Sequence, residues 1–209
     1  MQEIIKVLKY LLFGCVMSFA SEWKTQQHLT LHIKQPEMPW HLSDSVVLEV
    51  WKYYLCDLSC GKSISDDCIL IDSDTLVQME CDSELPDVVK FRIGVDSIRQ
   101  ERPNFSGDLN PLKNMYWTWQ SGYIQLKAEG MILKPNGIWE SFQLHLGGFR
   151  RHRCDRAIEL FVHGENVELI WNEKALSRIL QLNPKPKIMS ECFEASLMMS
   201  QIAQCIQIR

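Results

Sequence analysis

Val46-Val47-Leu48-Glu49-Val50-Trp51-Lys52-Tyr53-Tyr54-Leu55 is a run of β-branched and aromatic residues. Such side chains suit a pleated surface, and the run reads as a strand. On its N-terminal side, residues 27–34 alternate apolar and polar and read as a second strand, while residues 37–44, preceded by Pro36 and containing Pro39, read as a loop. On its C-terminal side, residues 68–71 and 75–79 are short strands around a turn at Asp72-Ser73-Asp74. Residues 88–95 alternate and form another strand. Residues 96–113 carry Pro103, Gly107 and Pro111 and read as a long loop, a length that is often functional.

Further on, residues 115–129 are aromatic and alternating. They read as a strand, or as a bent strand broken at Ser121-Gly122. Residues 139–146 make a strand that ends at Gly147-Gly148. Residues 158–162 and 167–171 are expected to form a hairpin around His163-Gly164-Glu165-Asn166. The period then changes to that of a helix over residues 173–182, Pro184-Lys185-Pro186 breaks it, and a second helix spans 190–206 with Ser190 as its N-cap. Many short strands followed by helices give a mainly β fold: an antiparallel β-sandwich or flattened barrel with a C-terminal helical segment.

The chain has 209 residues, 46% of them hydrophobic and 23% charged, which excludes disorder and suits one sizeable core. A net charge of -4 argues against a nucleic-acid partner, because a phosphate-binding surface needs an excess of Lys and Arg. Lys6 and Lys9 precede an apolar run, residues 10–20, that is too short to span a bilayer. It reads as a signal peptide over residues 1–20, leaving a single β domain over 21–209 in the periplasm or at the cell surface. A second processing route takes Leu12-Phe13-Gly14-Cys15 as a lipoprotein box, with a lipid anchor at Cys15 as the sole membrane contact. Past residue 20 there are seven cysteines, expected to be disulfides or buried thiols, with at least one free.

Catalytic patterns are absent from the sequence: it holds no Gly-x-Ser-x-Gly and no His-Glu-x-x-His, and Cys60-Gly61-Lys62-Ser63 lacks the glycine spacing of a phosphate loop. A non-enzyme is expected. His145, in Phe142-Gln143-Leu144-His145-Leu146-Gly147-Gly148-Phe149, is a candidate metal ligand on a strand leading into a Gly-Gly turn; a lone histidine of this kind is more often a satisfied surface or core residue. His32 shares a strand face with His28. His41, His152 and His163 lie in loop-like surroundings. Trp117 and Trp119, in Trp-x-Trp spacing, point to one face, which is either core or a surface for carbohydrate or protein.

Four blocks together resemble the MbnP-like family of exported copper-binding proteins. They are Phe91-Arg92-Ile93-Gly94-Val95-Asp96-Ser97, Gly107-Asp108-Leu109-Asn110-Pro111, the aromatic stretch from Met115 to Ile124, and Phe142 to Phe149. The resemblance runs from about Val46 to the C-terminus. It implies a non-catalytic β-rich protein that acquires or handles copper, held between histidines and an oxidised tryptophan that a di-haem partner of the MauG type produces. His145 matches the family's His-Leu-Gly block, and Trp117 and Trp119 match its Trp-x-Trp block. The family's histidine after the Gly-Val block is missing here, where Asp96 and Glu101 stand as harder carboxylate ligands. His32 is the better replacement, provided its strand lies beside that of His145. If the metal site is lost, the remaining reading is an interaction module that uses the Trp117/Trp119 face.

Overall fold

The computed structural model describes residues 27–60, 63–64, 67–81, 88–118, 120–162, 164–183 and 185–209. The fold is mainly β, with a large curled sheet, a smaller sheet and C-terminal helices. In chain order the strands are β1 (Gln27–Ile33), β2 (Trp40–Ser43), β3 (Val46–Cys60), β4 (Ser63–Ile64), β5 (Cys68–Ile71), β6 (Thr75–Cys81), β7 (Val88–Ile93), β8 (Tyr116–Thr118), β9 (Gly122–Leu133), β10 (Trp139–Gly147), β11 (Arg156–Phe161), β12 (Asn166–Trp171), β13 (Lys187–Ile188) and β14 (Ile206–Ile208). The helices are α1 (Ser97–Glu101), α2 (Glu173–Leu182) and α3 (Phe193–Ala203).

The small sheet has the order β14-β12-β1-β6. The large one follows β11-β7-β3-β9-β10-β13, with β2, β4 and β5 also on β3 and β8 on β9. β3 serves this many partners because it is 15 residues long and changes register twice, between Leu48 and Val50 and between Cys56 and Ser59. At the first shift β9 comes so close that a Cβ on Gly130 would lie 2.0 Å from the Val47 carbonyl oxygen, so only glycine fits. At the second, Asp57 takes a left-handed backbone (φ 54).

The core lies between the two sheets. Leu29, Leu31 and Ile33 of β1 share it with Leu144 and Leu146 of β10. The Trp171 ring of the small sheet meets Trp51 at 5.0 Å and Tyr53 at 5.2 Å, both edge-to-face, which locks the layers with directional aromatic contacts. A second, smaller cluster covers the outer face of the large sheet. It contains Tyr54, Cys56, Leu70, Val95, Met115, Tyr123 and Ile124. A disulfide joins Cys56 to Cys68, and Cys154, Cys192 and Cys205 are free thiols.

Strand positions follow the sequence closely, but partners do not. The expected 158–171 hairpin is absent: β11 pairs antiparallel with β7 in the large sheet, and β12 pairs parallel with β1 in the small one. β5 and β6 likewise part company across the turn at Asp72 to Asp74, since β5 joins β3 and β6 joins β1. A period of two identifies a strand and its buried face and says nothing of its neighbour. Residues 40–43 form β2 where a loop was expected. The long loop contains α1, capped by Asp96, and two turns of 3-10 helix, Gly107–Leu109 and Pro111–Lys113. The last helix is capped by Cys192 rather than Ser190, because Glu191 is engaged elsewhere, accepting the Arg151 and His152 amides at 2.7 and 2.9 Å.

Candidate metal-binding site

β9 and β10 pair around a turn near Asn136, which sets His145 opposite Lys127 and Gln143 opposite Glu129. Phe142, Leu144 and Leu146 fill the core, so His145 points to the outer face of the large sheet. It is nonetheless only 7% exposed. Its Nε2 lies 2.6 Å from Glu129 Oε1, a diagonal cross-strand contact. Lys127 Nζ approaches the same oxygen at 3.3 Å.

Burial works to raise the Glu129 carboxyl, but the hydrogen bonds and charges of His145 and Lys127 outweigh it and hold the group below its ordinary range. Glu129 is therefore an anion at neutral pH and only accepts. With Glu129 accepting, Nε2 of His145 is the donor, and Nδ1 is the ring atom left for another ligand. A carboxylate that fixes one ring nitrogen while the other stays basic is how metal-binding histidines are commonly held.

Trp117 lies just beyond. A Cβ on Gly147 would meet its ring at 2.6 Å, so the indole rests on the bare backbone at the end of the His145 strand. Trp117 is half-buried, and its Nε1 is buried without a hydrogen-bond partner. Trp119 and His163 lie outside the described residues.

His32 is not a neighbour of His145. β1 pairs with β12 and β6, and β10 pairs with β9 and β13, in different sheets. Leu29, Leu31 and Ile33 face inward, so His32 faces out from the small sheet, as His145 does from the large one. The whole core separates them. The two carboxylates of the long loop do not fill the gap either. Asp96 accepts from the Ile98 and Arg99 amides at 2.8 and 3.0 Å and pairs with the Arg99 guanidinium, and Glu101 is exposed. Among the described residues, no three His, Cys, Asp or Glu side chains converge as a metal cluster. The chemistry presented is one oriented imidazole backed by a carboxylate, which does not make a closed copper cage.

Sequence reading missed Glu129. The signal was present in Pro135-Asn136-Gly137, because a tight turn there pairs residues equidistant from it and brings residue 129 diagonal to 145. It also missed the ion network below the long loop. Asp57 accepts from Arg92 Nε at 2.9 Å and Arg99 Nη1 at 2.8 Å, and the buried Asp155 takes Arg92 Nη1 at 2.5 Å and Arg153 Nη2 at 2.7 Å.

A family model described as MbnP matches residues 15–177. No curated protein sequence matches the chain. Among solved structures, MbnP from Methylosinus trichosporium superposes with a TM-score of 0.53 at 13% identity, over 80% of this chain and 83% of that one. At that identity the likeness is one of fold.

Proposed function

The chain belongs to the MbnP family, and from that premise we propose that it is an exported, non-catalytic copper-binding protein in which His145 is the metal-facing residue. Family membership supports a copper-related role. The observation that carries the finer reading is the His145–Glu129 pair, which fixes the ring and leaves one nitrogen basic. Among the described residues the site presents one imidazole, and no further His, Cys, Asp or Glu joins it and Glu129 in a metal cluster. Export accords with the Cys56–Cys68 disulfide, a bond that persists in oxidising compartments. On the same reading, Trp117, lying against Gly147, is a tryptophan that a MauG-type di-haem partner would oxidise; an unmodified Trp117 in mature exported protein overturns that part.

The test is copper retained after loading and dialysis against a moderate chelator. Wild type is expected to retain copper, His145→Ala to lose it, and Glu129→Gln to bind about 10-fold more weakly. Equal retention in His145→Ala overturns the assignment.

A second reading draws on the separation of His32 from His145 and on the unpartnered Trp117 Nε1. It makes the Trp117 face a docking surface for carbohydrate or protein on a fold that has lost its metal. It predicts no copper retention in any variant, together with tryptophan fluorescence that a soluble quencher reaches in wild type and reaches less in Trp117→Phe.

A further inference from the structure

The two C-terminal helices meet along an open seam. α2 lines it with Arg178, Ile179 and Leu182, and α3 with Leu197, Met198 and Gln201. These spacings of one, three and four residues put each set on one face of its helix. The groove between them has a volume of about 290 Å³, near the small end of the range for small-molecule sites. Its apolar wall is left open: Leu182 is 70% exposed and Leu197 48%. Phe193, one turn before Leu197 on α3, extends the strip and is 63% exposed.

The charge along the groove is not balanced. Its acid, Glu194, is taken by Lys185 in an ion pair at the end where α2 leaves and α3 begins. Arg178, one turn before Leu182 on α2, has no such partner: among the described residues its guanidinium makes no hydrogen bond or ion pair. Lys174, a further turn back, is exposed and equally unpaired. Like charges four residues apart on a helix repel, so α2 carries a cationic pair that its own packing does not use. The groove therefore offers an apolar wall with surplus positive charge at one side.

We propose that this groove binds a free alkyl carboxylate of medium chain length, with its head on Arg178 and its chain along Leu182, Leu197 and Met198. A guanidinium matches a carboxylate with two parallel N–H donors. The flexible Met198 thioether adapts to a chain. No aromatic ring lines the groove, which leaves a sugar or a planar cofactor without a stacking partner. The site lies on the helices, and none of its residues takes part in the His145–Glu129 pair.

The experiment is a titration of the full chain with hexanoate, octanoate and decanoate, followed by backbone amide chemical shifts. Saturable shifts are expected in residues 178–182 and 194–201, with affinity rising by up to about 4-fold for each added methylene. Arg178→Gln should weaken octanoate about 5-fold and leave octanol, which has no charge, unchanged. Leu197→Asp should lose both. Both positions are exposed, so neither variant threatens the fold. Equal octanoate affinity in wild type and Arg178→Gln overturns the proposal, as do shifts that centre elsewhere or that never saturate. Binding to vesicles of anionic phospholipid without binding of the free carboxylates also overturns it, and makes the same strip a membrane contact.

Discussion

The two sides of the large sheet are built on different principles. The inner side packs against the small sheet and the two C-terminal helices through apolar and aromatic side chains, and its cover is regular secondary structure. The outer side is covered by residues 95–118, short helical turns, loop and the brief strand β8, many of whose backbone groups must find partners one at a time. Polar side chains supply them. Gln125 receives the Val95 amide at 2.5 Å and donates to its carbonyl at 3.1 Å, and Gln100 receives the Tyr123 amide at 2.7 Å. Tyr54 and Tyr123 hydroxyls donate to the Asp108 and Leu109 carbonyls at 3.1 and 3.0 Å. The inner side makes the fold, and the outer side positions a loop on it. Damage to the first is therefore global, and damage to the second local.

The largest expected effect is Trp51→Ala on the inner side. Trp51 is 1% exposed and bridges the layers through Trp171, so removing it opens a cavity costing about 3–5 kcal/mol. Denaturant unfolding is expected to remain one transition at a lower midpoint. A second transition would mean that the layers are not mutually dependent.

Gln125→Ala on the outer side comes next. It strands the Val95 amide, at about 1–3 kcal/mol, and leaves the Val95 carbonyl only the longer 3.5 Å contact from Gln100 Nε2. Faster amide exchange is expected in residues 95–118, with β1 and β12 unchanged. Equal acceleration in all strands would erase the contrast between the two sides.

A smaller effect is set by pH. Burial raises the Asp96 carboxyl, but its hydrogen bonds from Arg99 and Ile98 and the Arg99 charge prevail, and its pKa in the fold is lowered. A carboxyl lowered on folding adds stability above its unfolded value, near pH 4, and that stability is lost as pH falls through the folded value. The amides of α1 are therefore expected to lose protection below about pH 4, before the sheets do. Asp96→Asn keeps a side-chain oxygen for the cap and should remove this acid step. Acid loss that persists in Asp96→Asn would move its cause to another carboxyl.

The same contrast explains what the sequence made legible. Strand positions were readable because residues 27–34 alternate and Val46 to Leu55 are β-branched and aromatic, and α2 was readable from its own period. The outer cover was not, since α1 owes its start to one Asp96 cap and its docking to Arg92, Arg99 and Asp57, which are far apart in sequence. Of the candidate site, His145 and Trp117 were legible from their blocks. The Glu129 contact depends on hairpin register, and the separation of His32 depends on which sheet β1 joins. Both are pairing facts, which alternation does not encode.

His32 carries the smallest expected effect and the clearest discrimination. It projects from the outer face of the small sheet, between Leu76 of β6 and Glu168 of β12, with the core between it and His145. Among the described residues it makes no hydrogen bond or ion pair with its side chain. His32→Ala should change stability by less than about 0.5 kcal/mol, as surface substitutions do, and leave copper retention at the wild-type level. A loss of copper matching that of His145→Ala would require the two sheets to approach at these residues, and would refute the two-layer arrangement on which the contrast between inner and outer sides depends.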